Sequence, residues 1–118
     1  MKTVILDTSF ILNAIKNHID IEQSLKTLCP YHINISILDK TLNELENKPL
    51  SSIAIEIVLK FNIIKTSKQK SVDDLILDYV KTHKNTIIAT QDKELKEKLK
   101  KAKIAIITIR QQKHLIFV

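Results

Sequence analysis

Short apolar runs alternating with amphipathic helical patterns predict an α/β protein, a three-layer α/β/α sandwich around a five-stranded parallel sheet with strand order 3-2-1-4-5. Three observations carry this expectation. Strand and helix patterns alternate from the first residues to about residue 109. Most strand-like runs are apolar at consecutive positions, as in strands covered by helices on both faces. An aspartate directly follows the first run and another follows the fourth within a few residues, at the strand ends where open α/β folds bind ligands.

The elements follow in order. Thr3 to Leu6 forms the first strand and ends in Asp7, Thr8 and Ser9; Phe10 to Lys16 is helical. Asp20 to Leu28 places Ile21, Leu25 and Leu28 on one helix face and is closed by Pro30. Ile33 and Ile35 alternate with Asn34 and Ser36 in a second strand. From Ile37 the spacing of Ile37, Leu38, Thr41, Leu42 and Leu45 predicts a helix with Glu44 near its edge, and Leu50 to Phe61 predicts another. Asn62 to Lys65 is the third strand, followed by a lysine-rich loop, Thr66 to Lys70. Val72, Leu75, Ile76, Tyr79 and Val80 mark a helix that starts with Asp73 and Asp74, with Ser71 as its cap. Ile87 to Ala89 is the fourth strand, Lys93 to Ala102 a lysine-rich helix, and Ile104 to Ile109 the fifth strand. The tail from Arg110 to Val118 carries Arg110, Lys113 and His114 and ends in an apolar Leu-Ile-Phe-Val, expected to cover the sheet edge or meet a second subunit.

Composition narrows the chemistry. A chain of 118 residues with 44% apolar content is expected to fold as a single domain over 1–118. No apolar run reaches the roughly 18 residues of a membrane span, and MKTVILD breaks into charge too early for a signal peptide, so a cytoplasmic protein without a membrane partner is expected. Cys29 is the sole cysteine and the four histidines are scattered, which leaves no cysteine-histidine metal site. The absence of glycine excludes Walker-type and dinucleotide-binding loops, and turns are expected to use Asn, Asp, Lys and the two prolines. The +6 formal charge points to an anionic partner, with RNA the first candidate. Six lysines fall between Lys93 and Lys103, and Lys93, Lys96, Lys100 and Lys103 make a stripe without an acid, suited to phosphate contact. The same helix has an ordinary reading as a solvated face, with Glu94–Lys98 and Glu97–Lys101 in the favourable i, i+4 order.

The acids carry the functional argument. Asp7 and Asp92 can each be simple helix N-caps, and Asp74 can belong to a capping box. If strands one and four are neighbours at the switch point, however, Asp7 and Asp92 share one crevice. A helix runs antiparallel to the strand it precedes, so Asp73 also starts at that edge. Glu44 and Glu46 are not separated by the local pattern. Several carboxylates in one crevice raise each other's pKa unless a cation joins them. A hard divalent ion, Mg²⁺ or Mn²⁺, resolves the repulsion and bridges to phosphate, which suits metal-assisted phosphodiester hydrolysis without a side-chain nucleophile.

DTSF at Asp7, NELE at Glu44, VDDLI at Asp73, and IATQDKEL at Asp92 followed by LKKAKIAIITIRQQKHL resemble PIN-domain ribonucleases over essentially the whole chain. The likeness is nearer to archaeal and eukaryotic-type members related to ribosomal-RNA-processing nucleases than to toxin ribonucleases of the VapC kind. The resemblance implies that Asp7, Glu44, Asp73 and Asp92 bind the metal, that Ser9 and Thr90 hydrogen-bond around them, and that Glu44 and Asp73 serve in place of Glu46 and Asp74. Gln91 and Lys103 depart from the family pattern, Lys103 standing where a glycine often ends the helix.

The expectation is therefore a Mg²⁺- or Mn²⁺-dependent endoribonuclease, in RNA processing or as a toxin-type ribonuclease. A homodimer and an antitoxin or ribosome-assembly partner are the companions considered. The alternative is a catalytically weak RNA-binding or assembly module of the same fold. A phosphoacceptor signalling domain would need an aspartate after the third strand, where Thr66, Ser67 and Lys68 stand.

Overall fold

The structure is a computed structural model that describes residues 1–67 and 69–118. The elements are β1 Lys2–Leu6, α1 Thr8–Lys16, α2 Ile21–Leu28, β2 Ile33–Leu38, α3 Asp39–Glu46, α4 Ser51–Val58, β3 Asn62–Ile64, α5 Val72–Thr82, β4 Thr86–Ala89, α6 Lys93–Lys101, β5 Ala105–Arg110 and β6 His114–Phe117. They form one mostly parallel sheet in the order β3-β2-β1-β4-β5-β6. The expected order 3-2-1-4-5 is present, with a sixth strand added.

Period-two alternation along each strand divides the core between the sheet faces. Val4 and Leu6 of β1, with Ile87 and Ala89 of β4, meet Phe10 and Ile11 of α1, Leu25 of α2, Leu45 of α3 and Val58 of α4. Ile5, Ile88 and Ile106 point the other way and meet Leu75, Ile76 and Val80 of α5 and Leu95 and Leu99 of α6. Each such Leu, Ile or Phe contributes roughly 1.5–3 kcal/mol through burial, so the face assignment of every strand is strongly fixed. Among the described residues no helix is long and apolar enough to cross a membrane.

One expectation needs correction. Ile37 and Leu38 belong to β2, not to a helix, and α3 begins at Asp39. Ile35 to Leu38 are all buried, and a strand buried on both faces loses the alternation that marks it as one. The tail covers the sheet edge, one of the two roles expected of it, and does so as a strand: β6 pairs antiparallel with β5, Ile109 opposite Leu115 and Arg110 opposite His114. Asn47, Pro49, Lys84 and Asn85 stand in turns as expected, while the left-handed backbone positions are His18, Leu50, Lys103, Gln111 and Gln112. None of these is Asn or Asp, although asparagine occurs seven times in the chain. Each bulky left-handed residue costs about 1 kcal/mol over glycine.

At two positions helix-end geometry accounts for the conformation. His18 follows α1 and lets Ile19 N–H reach the Ala14 carbonyl at 2.8 Å; Lys103 follows α6 and lets Ile104 N–H reach the Leu99 carbonyl at 3.0 Å. Both are Schellman closures. Lys103 thus stands in the place a glycine commonly fills. The expected loop Thr66 to Lys70 is described except for Lys68, which lies outside the described residues.

Candidate active site

Asp7 leaves the end of β1 between two hydrogen-bonded neighbours, its N–H donating to the Ala89 carbonyl of β4 at 2.9 Å. It does cap α1, since Oδ1 accepts the Thr8 N–H at 2.8 Å. Its other oxygen, Oδ2, accepts the Thr90 hydroxyl at 2.7 Å and the Ser9 hydroxyl at 2.9 Å. A carboxylate that was only a cap would not need both hydroxyls. Asp7 is 4% exposed, and burial raises its carboxyl pKa against the lowering pull of Thr90, Ser9 and the Thr8 N–H, with Glu44 adding to the rise.

Asp92 likewise caps α6, its Oδ1 accepting the Leu95 N–H at 2.9 Å. The Thr90 hydroxyl also accepts the Asp92 N–H at 3.1 Å, and the Ser9 hydroxyl accepts the Gln91 N–H at 3.1 Å. Ser9 and Thr90 therefore tie the ends of β1 and β4 together around both aspartates. The cap and the crevice are compatible because capping engages one oxygen of the pair.

Glu44 arrives from α3, where Thr41 and Leu45 are buried and Glu44 is partly buried between them, while Glu46 is exposed. Its Oε1 accepts the Thr8 hydroxyl at 2.6 Å. Asp73 comes from the first turn of α5, which is capped by the Ser71 hydroxyl accepting the Asp74 N–H at 3.2 Å. Asp74 is exposed and lines a different groove with Lys70 and Asp78. The Asp73 carboxyl is pushed up to about 6 by burial first, then by Asp7, Asp92 and Glu44, with Lys98 opposing.

One cleft of about 550 Å³ is lined by Asp7, Thr8, Ser9, Leu12, Glu44, Asn47, Lys48, Asp73 and Asp92. The four expected acids thus share a wall, together with the expected Ser9; Thr90 lies beneath, bonded to Asp7. The lining offers carboxylate and hydroxyl oxygens and no thiol or imidazole, a donor set suited to Mg²⁺ or Mn²⁺. Among the described residues, no three His, Cys, Asp or Glu side chains are drawn close enough to enclose one ion by themselves. That is compatible with Mg²⁺, which keeps several waters and takes only one or two protein carboxylates directly. Asp7, Glu44, Asp73 and Asp92 are the groups that could hold it.

Of the lysine stripe, Lys93, Lys96 and Lys100 lie in mutual electrostatic reach: burial first, then Lys100 and Lys93, lowers the pKa of the half-buried Lys96. Lys103 sits past the end of α6, at the helix end remote from the crevice. The pairs Glu94–Lys98 and Glu97–Lys101 make no ion pair among the described residues, contrary to the sequence spacing; Lys98 acts on Asp73.

Two residues of this site escaped sequence reasoning. Thr8 joins Asp7 and Glu44 by its N–H and hydroxyl, a link across 36 positions that no local pattern announces. Gln91 clasps β5: its Oε1 accepts the Ile109 N–H at 2.6 Å and the Thr108 hydroxyl at 2.7 Å, and its Nε2 donates to the Ile109 carbonyl at 3.2 Å. Its departure from the family pattern was the available signal. Asp39, at the end of β2, is a third strand-end aspartate; it accepts the Thr66 N–H at 3.0 Å and hydroxyl at 2.6 Å and so braces β3.

Fold and site together define an open α/β protein with an acidic, oxygen-lined crevice at the switch point of its sheet. Residues 4–112 match the model of the PIN-like domain, and the chain belongs to that family. It is similar to Ribonuclease VapC4 of Methanocaldococcus jannaschii, 29% identical over 125 residues that cover 97% of this chain and 95% of the relative. It is also similar to the solved PIN domain endonuclease Utp24, with a TM-score of 0.86 and 29% identity, covering 98% of this chain and 90% of that one.

Proposed function

We propose that this chain is a Mg²⁺- or Mn²⁺-dependent endoribonuclease, a single cytoplasmic domain over residues 1–118 that hydrolyses RNA phosphodiester bonds. The observation that carries the reading is the meeting of Asp7, Glu44, Asp73 and Asp92 on one oxygen-lined cleft. Its relatives support it, one named a ribonuclease and the other an endonuclease. Asp7, Glu44, Asp73 and Asp92 hold the metal, which when bound supplies an activated water and neutralises charge on the phosphate. Ser9 and Thr90 fix the Asp7 carboxylate by donating to Oδ2, so that its direction is set before any ligand arrives. Thr8 holds Glu44 in the same way. Lys93, Lys96, Lys100 and Lys103 take flanking phosphates, Lys93 and Lys96 nearest the crevice. RNA is the partner this requires; a second copy of the chain, and an antitoxin or ribosome-assembly partner, are compatible with the family.

One observation favours the alternative, a catalytically weak RNA-binding or assembly module: no three of the acids enclose an ion unaided. Incubating a mixed-structure RNA with pure protein separates the two. Cleavage in Mn²⁺, absent in EDTA and lost in Asp92→Asn, is expected. Salt-sensitive RNA binding without cleavage in any metal would leave the module.

A further inference from the structure

The β5–β6 turn stands on the same edge as the crevice. Ala89 of β4 is level with Ile107 of β5, and the Gln91 amide clasps the Ile109 backbone. One residue beyond that clasp come Asp92, the N-cap of α6, on one chain segment and Arg110, the last residue of β5, on the other. From Arg110 the chain reverses through Gln111, with φ 54°, and Gln112, with φ 60°, and the Lys113 N–H donates to the Arg110 carbonyl at 3.2 Å.

Such a left-handed turn is ordinarily built from Asn-Gly. The chain contains no glycine, so a left-handed residue alone says little; two in succession, both glutamine, is the departure. Arg110 is the only arginine against 18 lysines. It is exposed, as are Gln111, Gln112 and Lys113, and neither Arg110 nor Lys113 is in an ion pair among the described residues. A guanidinium forks onto phosphate or stacks on a base in ways an ammonium does not. Glutamine amides carry both donors and an acceptor, the complement of a base edge, and RNA offers such edges where it is unpaired.

We propose that the Arg110–Lys113 turn recognises the substrate of this crevice: Arg110 grips a phosphate of an unpaired RNA strand beside the scissile bond, and the Gln111 and Gln112 amides read a neighbouring base edge. The inference rests on the endoribonuclease reading. Its backbone is set in advance by the paired strands, so the amides are presented without a disordered loop having to fold.

Two variants of the full chain test it, Arg110→Lys and the double change Gln111→Asn with Gln112→Gly. Binding of a fluorescein-labelled single-stranded RNA and of its duplex is read by anisotropy in EDTA, and hydrolysis of bis(p-nitrophenyl) phosphate is read in Mn²⁺. Arg110→Lys should weaken single-strand binding about tenfold with the charge retained. The double variant should raise Tm by about 4 °C yet lose preference for the single strand over the duplex. Arg110→Lys binding as wild type, or a stabilised double variant with unchanged preference, overturns the proposal. If wild type hydrolyses neither diester nor RNA while binding still responds to the turn, the nuclease reading fails and recognition stands.

Discussion

Asp73 is the acid whose ionisation the fold opposes most. Its carboxyl, ordinarily near 3.8, is raised to about 6 by burial and by Asp7, Asp92 and Glu44. The unfolded chain therefore gives up this proton first as pH rises, and the folded state is penalised progressively between about pH 4 and pH 6. Metal-stripped protein should become more stable on acidification from pH 7 to pH 5, by at most about 1 kcal/mol once solvent screening of a partly exposed group is allowed for. Asp7, also raised, acts in the same direction. Urea midpoints at the two pH values read the effect, and Asp73→Asn should flatten it; a variant with the full wild-type pH response would remove Asp73 from the account. At this scale the sequence was partly legible. Asp7 and Asp92 announce themselves by following strands, and Asp73 by opening a helix that precedes one. Glu44 does not, because its place is fixed by Thr41 and Leu45 packing beneath it and by a hydroxyl from another helix.

Among the elements, α6 joins the two requirements of the site. Its N-cap, Asp92, lies in the crevice, and its first turns carry Lys93 and Lys96. Two like charges, Lys93 and Lys100, beside a half-buried Lys96 are unfavourable in the free protein and are relieved by a bound polyanion. Changing Lys96 and Lys100 to Ala should lower the slope of log affinity for single-stranded RNA against log salt by about 1.4, two phosphate contacts in number. An unchanged slope would return the helix to plain solvated surface. Periodicity made α5 and α6 legible, because each shows one face to the sheet, and short continuous apolar runs bounded by polar residues made β1, β4 and β5 legible. The pattern failed at the end of β2, where Ile37 and Leu38 run straight into α3 with no break between them, and at β6, whose turn uses glutamines that carry no turn signal.

For the whole molecule, the order β3-β2-β1-β4-β5-β6 brings residues as distant as Asp7 and Thr90 into hydrogen-bond contact. That order followed from connection rules applied to alternating elements, and it is why two strand-end aspartates sufficed to locate a crevice. The ion-holding role of the acid set is the central claim, and equilibrium Mn²⁺ binding, read by the loss of the free-ion electron paramagnetic resonance signal, tests it most directly. Wild type should bind Mn²⁺; Asp7→Asn, Glu44→Gln, Asp73→Asn and Asp92→Asn should each weaken binding by about tenfold or more, with Glu46→Gln and Asp74→Asn unchanged. Equal loss in the two neighbours, or undiminished binding in the four, would contradict the account.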